Sequence, residues 1–589
     1  MTDLTRLDAA AIAHGVSRRS TSAARVIEDV LERLDAYDSI QPQAWIARAS
    51  PAELREAARR IDERVAAGEV LALAGVPFAV KDNIDVPGFD TTAGCPSFAY
   101  APDRDAYVVE RLRAAGAICI GKTNLDQFAT GLNGTRSPYG APRNVYNRDY
   151  VSGGSSSGSA VVVAAGLVAF ALGTDTAGSG RVPAAFNHLI GLKPSRGRWS
   201  SSGLVPACRT LDCITVFTST LADAELVDGY IAGYDAADPF SRALPDVPCT
   251  ARRIGVPLAH QRPWFGDLQS ERLYAHALDA LAATGAEIVE IDAAPLNEAA
   301  QLLYGGPWVA ERTAALGGLL TDPPDDLDPV VRDIVAAGTD ISAVDLFRGM
   351  YRLAELRREA DVLWEHVNLL AFPTTGTTYR VREMRAEPVK LNSNLGAYTN
   401  FVNLLDMAAI ALPAGARHNR TGFGITLIGP AGTDRALIEA GRSYLAAANL
   451  PEPPALDLEN VMETVKLAVV GAHLKDMPLH WQLTSRDAAF VEATTTAPTY
   501  RLYALANSTP PKPALVHSED GAAIAVEVYE LDVASFGSFV AEVPPPLAIG
   551  TVTLADGSMV KGFVSEPRAT HGAEDITELG GWRAFIARG

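Results

Sequence analysis

The chain has 589 residues, and 51 Lys and Arg against 70 Asp and Glu give it a formal net charge of −19. This length predicts more than one domain, and the acidic balance argues against nucleic acid as a partner. Five cysteines without a Cys-x-x-Cys pair favour a reducing compartment, the cytoplasm, and no metal site. We expect no secretory signal, because the first twenty residues contain no apolar h-region. We also expect no membrane span, because the longest apolar run, near Val161, is interrupted by Gly166.

The first third of the chain predicts helices followed by two buried strands. Residues 1 to about 70 carry helical spacing of apolar residues, and a strand over Val76–Val80 ends at Lys81. Farther on, residues 116–123 satisfy the phosphate-binding pattern G-x-x-x-x-G-K-[ST]. A phosphate loop needs flexible residues between its glycines, whereas this segment has Ala-Ile-Cys-Ile. We therefore interpret it as a strand, and an ATP-using enzyme as the weaker alternative.

The stretch from Tyr150 to Arg198 contains two loops of small polar residues joined by a buried unit. Residues 153–158 form the first loop, an apolar helix is predicted over residues 159–166 and a strand over 168–172, and residues 173–180 form the second loop. Loops held by a rigid scaffold are common places for catalytic groups. The first loop also matches G-x-S-x-G around Ser156, but that pattern should follow an apolar strand and here follows polar residues.

The rest of the chain divides into two regions of different pattern. Strands and helices alternate up to residue 450, which predicts an α/β protein with an α/β/α layered core. Residues 451–464 are rich in proline and predict a linker. Residues 465–589 carry short strands, as in a mainly β domain. We therefore expect domains over 1–450 and 465–589.

The motifs GGSSSG (153–158), GTDTAGS (173–179) and GLKPSRG (191–197) together resemble the amidase signature family of serine hydrolases. The resemblance covers roughly residues 1–450 and implies a large mixed sheet, no cofactor and no metal. By motif position it implies Ser179 as nucleophile, Ser155 as bridging serine after a cis peptide, and Lys81 as base. A lysine acts as a base only when neutral, so its pKa must fall from about 10.4, and burial without a carboxylate partner has that effect.

The same resemblance implies a set of backbone donors around the nucleophile. The N–H groups of Thr176, Ala177, Gly178 and Ser179 would form the oxyanion hole. We also expect Asp175 and Arg181 to pair and stiffen this loop, although both are also compatible with ordinary surface charges.

Within the family, the segments TAGSGR and VPACRTLDC and the added C-terminal domain resemble the allophanate hydrolases. These enzymes cleave allophanate, the last step of urea or cyanuric acid breakdown, giving ammonia and carbon dioxide overall. Tyr304 and Arg312, eight positions apart on a predicted helical segment, match the family's substrate-binding pair, and Gly131 is a candidate for backbone contacts. The alternative for the pair is an exposed arginine and a half-buried tyrosine.

The C-terminal segment VVGAHLKDMPLHWQLT resembles the additional domain of allophanate hydrolases, an α+β domain related to γ-glutamyl cyclotransferases. That resemblance implies a role in assembly or in decarboxylation of the first product, with His473 as the candidate base; a structural histidine is the alternative. It also implies a homodimer, a small substrate with an amide and a carboxylate, and a functional link to a urea carboxylase. Other candidate functions are an amidotransferase A-type subunit, an aliphatic amidase and a non-catalytic scaffold.

Overall fold

The computed structural model describes residues 6–458, 464–484, 486, 488–505 and 508–588. It divides into two compact units, Met1–Asp457 and Leu458–Gly589. The division falls within the proline-rich stretch predicted as a linker, part of which, residues 459–463, lies outside the described residues. In the described part of the chain, each helix is too short or too polar to cross a membrane.

The N-terminal unit alternates helices and strands along its whole length. Its helices are α1 Ala9–Ser17, α2 Ala23–Asp38, α3 Pro51–Ala66, α4 Tyr107–Ala114, α5 Ser157–Ala164, α6 Val182–Phe186, α7 Leu221–Ile231, α8 Leu268–Ala283, α9 Ala294–Gly305, α10 Trp308–Leu316, α11 Pro329–Ala337, α12 Ala343–Asp361, α13 Val381–Ala386, α14 Lys390–Leu395, α15 Phe401–Leu404 and α16 Asp434–Ala448. Its strands are β1 Trp45–Arg48, β2 Pro77–Lys81, β3 Ile118–Thr123, β4 Phe170–Asp175, β5 Ile190–Lys193, β6 Cys213–Thr218, β7 Arg253–Pro257, β8 Glu287–Ile291, β9 Leu369–Pro373, β10 Met407–Ala416 and β11 Gly422–Pro430.

These strands form one mixed sheet of eleven strands, ordered β1-β3-β2-β4-β6-β5-β10-β11-β9-β7-β8. Strand β2 pairs in parallel with both β3 and β4. The carboxyl ends of parallel strands meet at one edge of a sheet, which is where ligands bind in open α/β folds. Lys81, at the end of β2, and Thr174, near the end of β4, therefore lie at the same edge.

Side chains of the sheet pack into cores on both of its faces. In β9, Leu369 and Ala371 belong to one apolar cluster, while Leu370 and Phe372 belong to another. Successive side chains of a strand point to opposite faces, so each cluster covers one face of the sheet. The α/β/α layers and the large mixed sheet predicted from the sequence are thus confirmed.

Two details of the N-terminal region bear on the sequence interpretation. The segment with the phosphate-loop pattern contains β3, a fully buried strand, which confirms that the match is accidental. The expectation of helices only over the first 70 residues was incomplete, because β1 pairs with β3 in antiparallel orientation. A strand of four residues is too short to show a period in the sequence.

The C-terminal unit is mainly β, as predicted. Its strands are β12 Thr464–Val469, β13 Ala489–Thr495, β14 Tyr500–Ala504, β15 Pro513–His517, β16 Ala525–Asp532, β17 Leu547–Thr553, β18 Met559–Ser565 and β19 Glu574–Asp575, and its helices are α17 Trp481–Thr484, α18 Val533–Ala541 and α19 Trp582–Ile586. The strands form a five-stranded sheet, β13-β16-β12-β18-β17, and a three-stranded one, β15-β14-β19.

Candidate active site

Lys81 ends strand β2 with its side chain fully buried. Its Nζ lies 2.8 Å from Ser155 Oγ and 2.7 Å from Thr174 Oγ1. Among the described residues, no carboxylate oxygen comes within 4 Å of this amine. Burial lowers the pKa of Lys81 to about 7, while more distant carboxylates, Asp126 first among them, act in the opposite direction. The amine is therefore placed to exchange protons near neutral pH.

Ser155 follows a cis peptide bond with Gly154, as the resemblance implied. Its carbonyl oxygen accepts a hydrogen bond from the backbone N–H of Asp126 at 3.0 Å. A Cβ on Gly154 would stand 2.1 Å from Asp126 Oδ2, so only glycine fits there. The first loop thus packs closely against Asp126.

Ser179 lies in the second loop, just beyond β4, and is 2% exposed. Its hydroxyl donates to the carbonyl oxygen of Gly131 at 3.4 Å. A bond to Ser155 is not among the hydrogen bonds that the described residues make. Catalytic hydrogen bonds are often long or unformed without substrate and tighten when it binds. Ser155 and Lys81 are thus in direct contact, while Ser179 is bonded to the loop that contains Gly131.

The loop that carries Ser179 is held by a buried ion pair. Arg181 Nε lies 2.8 Å from Asp175 Oδ2, and both side chains are fully buried, which confirms the predicted pairing. Burial alone would raise the pKa of Asp175, but the Arg181 guanidinium outweighs it and holds that pKa below its usual range. Asp175 therefore stays ionised and fixes the start of the loop to its end.

Asp175 also takes a backbone donor that was predicted for the oxyanion hole. The N–H of Gly178 donates to Asp175 Oδ1 at 2.9 Å, so the prediction for Gly178 is corrected. Among the described hydrogen bonds, none uses the N–H groups of Thr176, Ala177 or Ser179. These three donors are the ones that remain for a developing oxyanion.

Residues far along the chain complete this loop, and the sequence interpretation missed them. Asn403 donates to the carbonyl oxygen of Asp175 at 2.7 Å, and Thr399 Oγ1 donates to that of Ala177 at 2.6 Å. A Cβ on Gly178 would meet Thr399 Oγ1 at 2.4 Å. The sequence offered one signal for these contacts: Thr399 and Asn403 are polar and stand just before the apolar strand β10. Polar groups in a buried region need hydrogen-bond partners.

Tyr304 and Arg312 are in contact, but they do not share one helix as predicted. Helix α9 ends at Gly305 and α10 begins at Trp308, with Pro307 as its N-cap. Proline cannot continue a helix, so the chain turns between them. The guanidinium lies 5.1 Å from the ring centroid of Tyr304 and donates to its hydroxyl at 3.2 Å.

Arg312 is fully buried, contrary to the alternative of an exposed arginine. Its second donor bonds to Thr130 Oγ1 at 2.8 Å. Among the described residues, no carboxylate oxygen lies within 4 Å of this guanidinium. Thr130 precedes Gly131, whose carbonyl accepts from Ser179, so the cation lies one residue away from a contact of the candidate nucleophile.

Gly131 also lies against Asp126. A Cβ there would stand 2.5 Å from Asp126 Oδ2, an oxygen that already accepts the N–H groups of Asn133 and Gly134. From the opposite side, Asn392 Oδ1 accepts the N–H of Leu132 at 2.8 Å. The Gly131 loop is thus fixed from two sides, and neither Asp126 nor Asn392 was singled out from the sequence.

His473 lies in the C-terminal unit and is 8% exposed. Its Nε2 is 2.7 Å from Gln482 Oε1, and its ring stacks on Phe563 at 4.9 Å. Burial lowers the pKa of His473 to about 4. Because the Gln482 oxygen is only an acceptor, the neutral ring carries its proton on Nε2 and a lone pair on Nδ1.

No group of three or more His, Cys, Asp or Glu side chains arranged to hold a metal ion occurs in the described ranges. The site around Lys81 contains a serine hydroxyl that can act as nucleophile, an amine with a pKa of about 7, and backbone N–H groups without a hydrogen-bond partner among the described residues. These are the groups that nucleophilic acyl transfer requires.

The profile of the Amidase family matches residues 25–438, and that of the allophanate hydrolase C-terminal domain matches residues 465–587. Urea amidolyase from Saccharomyces cerevisiae is 44% identical over 97% of this chain, which spans 32% of that relative's length. Urea amidolyase from Lachancea kluyveri is 44% identical over 92% of this chain and 31% of its own length. The structure of Kluyveromyces lactis allophanate hydrolase superposes with a TM-score of 0.71 at 41% identity, covering 97% of this chain and 98% of that one.

We expect Arg181→Met to destabilise the second loop and with it the fold. The substitution leaves the Asp175 carboxylate buried without a partner, which costs about 3–5 kcal/mol. The midpoint of chemical denaturation should fall accordingly. The control is Arg55→Met, which removes an exposed pair with Glu28 and should leave the midpoint unchanged. Equal midpoints for the two variants would contradict the role assigned to the ion pair.

Proposed function

This chain belongs to the amidase family, and on that premise we propose that it is an allophanate hydrolase, an amide hydrolase that releases ammonia from allophanate through a serine-bound acyl intermediate. The observation that supports this choice of substrate is the burial of Arg312. Its guanidinium is a fully buried cation with no carboxylate within 4 Å among the described residues. Buried charges are normally paired, and allophanate brings a carboxylate beside its amide. The family comparisons support the same substrate.

In the proposed acylation step, Ser179 Oγ attacks the amide carbon of allophanate. Its proton passes to Ser155, whose own proton passes to the neutral amine of Lys81 2.8 Å away. Negative charge develops on the amide oxygen and is stabilised by the N–H groups of Thr176, Ala177 and Ser179. One such donor is typically worth about 2.7–4 kcal/mol.

Collapse of the tetrahedral intermediate breaks the C–N bond. The proton held on Lys81 returns through Ser155 to the leaving nitrogen, and ammonia departs. Water then attacks the ester on Ser179, and its proton passes through Ser155 to Lys81. The C–O bond to the enzyme breaks, and the same proton returns through Ser155 to Ser179 Oγ. The product is the dicarboxylate of ammonia, N-carboxycarbamate, and loss of its carboxyl groups gives ammonia and carbon dioxide overall.

For the C-terminal unit we propose that His473 is the base that assists decarboxylation of this product. Support comes from its neutral, buried imidazole, whose Nδ1 keeps its lone pair while Gln482 holds Nε2. With a pKa of about 4 the imidazole is neutral at pH 7 and a weak base there.

The wider context of the reaction is also part of the proposal. The chain matches about a third of the length of the urea amidolyases, which supports a link to an upstream activity that makes allophanate, such as a urea carboxylase. Cyanuric acid breakdown is a second candidate source of the substrate. We also propose that the chain assembles as a homodimer.

The activity should depend on pH through the amine of Lys81. A pKa of about 7 means that the amine is increasingly protonated, and so inactive as a base, as the pH falls below 7. We expect kcat/KM to drop about tenfold at pH 6 relative to the plateau above pH 8. Initial rates of ammonia release, corrected for spontaneous decay of substrate, measure this profile.

The variant Asp126→Asn identifies the group that titrates. Loss of the Asp126 carboxylate removes the strongest of the charges that favour protonated Lys81, so the acid limb should move to lower pH. A limb near pH 10 in the wild type, or one that does not move in this variant, would show that Lys81 is not the base.

The substrate is tested by ammonia release from allophanate beside malonamate, biuret, acetamide and glutamine. We expect allophanate to be preferred, and Ser179→Ala to reduce its turnover by about 10⁴-fold or more. Arg312→Gln should cost about 1.5–3 kcal/mol, or ten- to a hundredfold in kcat/KM, for substrates with a carboxylate, and little for neutral biuret. Turnover of acetamide or glutamine with allophanate ignored would instead favour a general amidase or an amidotransferase component.

A further inference from the structure

A second arginine of the N-terminal unit has the same unusual environment as Arg312. Arg136 is 3% exposed, and its guanidinium donates to two backbone carbonyls, those of Thr130 at 2.8 Å and Pro388 at 2.7 Å. Its Nε is buried and has no hydrogen-bond partner. In the described part of the chain, no carboxylate oxygen approaches this guanidinium within 4 Å. Arg136 is therefore a buried cation with no carboxylate in direct contact. Burial raises the pKa of Asp328, and the Arg136 charge acts from a distance against that rise.

The two cations converge on one residue. Arg312 donates to the side-chain hydroxyl of Thr130, and Arg136 donates to its carbonyl oxygen. Two positive charges that bond to the same buried residue repel each other. Their carbonyl and hydroxyl partners reduce this charge repulsion only in part, because these partners carry no net charge. An anion bound beside the two arginines would offset both their mutual repulsion and the cost of burying their charges.

Arg136 also lines a cavity. The cavity has a volume of about 330 Å³, and Tyr304 and Asn400 lie in its wall with Arg136. The Oδ1 atom of Asn400 is buried and, like Arg136 Nε, has no hydrogen-bond partner. An acidic residue, Asp333, belongs to the same wall, but its side chain is 72% exposed and pairs with Arg332 at 3.1 Å. Of these two buried atoms only Arg136 Nε is a donor, because the amide oxygen of Asn400 accepts hydrogen bonds, so the arginine is the group in this wall that suits an anion.

The proposed reaction supplies a ligand of matching charge. Hydrolysis breaks a neutral amide C–N bond and forms a carboxylate in its place, so the product carries one more negative charge than the substrate. One buried arginine suffices for a substrate with a single carboxylate, whereas two buried, unpaired arginines match a dicarboxylate.

We propose that this cavity is an anion subsite in which Arg136 binds a carboxylate group, so that Arg136 and Arg312 together favour small dicarboxylates, the class to which the product of the proposed hydrolysis belongs. The ligand class rests on the proposed function. The subsite itself rests on the burial and contacts of Arg136 and on the lack of a carboxylate within 4 Å among the described residues. It takes up the product after the amide is cleaved and before it leaves the N-terminal unit.

The test compares two probes of equal size, malonate with two carboxylates and malonamate with one. Binding is measured by titration calorimetry on full-length Ser179→Ala protein, so that malonamate is not consumed. We expect malonate to bind about tenfold more tightly than malonamate, and Arg136→Gln to remove most of that difference. Arg312→Gln should weaken both probes, because each keeps at least one carboxylate.

Two further variants separate binding from folding. Arg136→Lys keeps the charge without the planar fork and should retain part of the preference for malonate. Arg55→Gln changes the net charge equally at an exposed site and should change neither affinity. Thermal unfolding of each variant shows whether the loop contacts of Arg136 have been lost with the charge.

The proposal is overturned if wild-type Arg136 gives no preference for malonate, or if Arg136→Gln weakens both probes equally, since the arginine then only holds the carbonyls of Thr130 and Pro388. Failure of the proposed function has a different signature. If allophanate is not hydrolysed but the malonate preference still depends on Arg136, the subsite stands and the substrate is wrong. If allophanate is hydrolysed and the preference survives in Arg136→Gln, the subsite is wrong.

Discussion

The burial of one amine without a counter-charge is the constraint on which the rest of the structure depends. Lys81 has two hydroxyl partners, Ser155 and Thr174, and no carboxylate within 4 Å among the described residues. A hydroxyl can accept from an ammonium or donate to a neutral amine, and it brings no negative charge that would hold the proton on the amine. The two hydroxyls therefore stabilise neither protonation state strongly, and burial decides in favour of the neutral one.

Carboxylates act on Lys81 from a distance, and the fold commits two of them, Asp175 and Asp126, to other partners. Asp175 is paired with Arg181 inside the second loop, and Asp126 is surrounded by backbone N–H groups of the loop that follows it. Both carboxylates are needed to shape loops, and neither reaches the amine. The parallel pairing of β2 with β4 then brings Lys81 and the loop of Ser179 to the same sheet edge. Geometry and electrostatics are thus set by the same few side chains.

The sequence predicted what depends on local pattern and failed where distant parts of the chain meet. Alternating strands and helices, the buried strand β3 and the Asp175–Arg181 pair could all be read from periodicity or from the motifs. The acceptor for the Gly178 N–H could not, because several groups compete for each donor in a tight loop. Thr399 and Asn392, which fix two loops of the site, come from regions more than 200 residues away, and no local pattern connects them.

The prediction of a single helix across Tyr304 and Arg312 was wrong, and the sequence between them contains the reason. The helical spacing of Tyr304 and Arg312 suggested a single helix, although Gly306 and Pro307 stand between them and proline ends or kinks a helix. The contact between the two side chains was not predicted. It forms because the second helix turns back and brings the guanidinium over the ring.

The most direct test of this account is titration of the Lys81 amine itself. The chain has eight lysines, so ¹³C-labelled lysine gives a spectrum simple enough to assign the resonance missing in Lys81→Met. The account predicts that this side chain titrates at about pH 7, well below the ordinary lysine pKa of about 10.4. A Lys81 resonance that titrates with the exposed lysines would contradict the account, because a charged amine cannot accept the proton of Ser155.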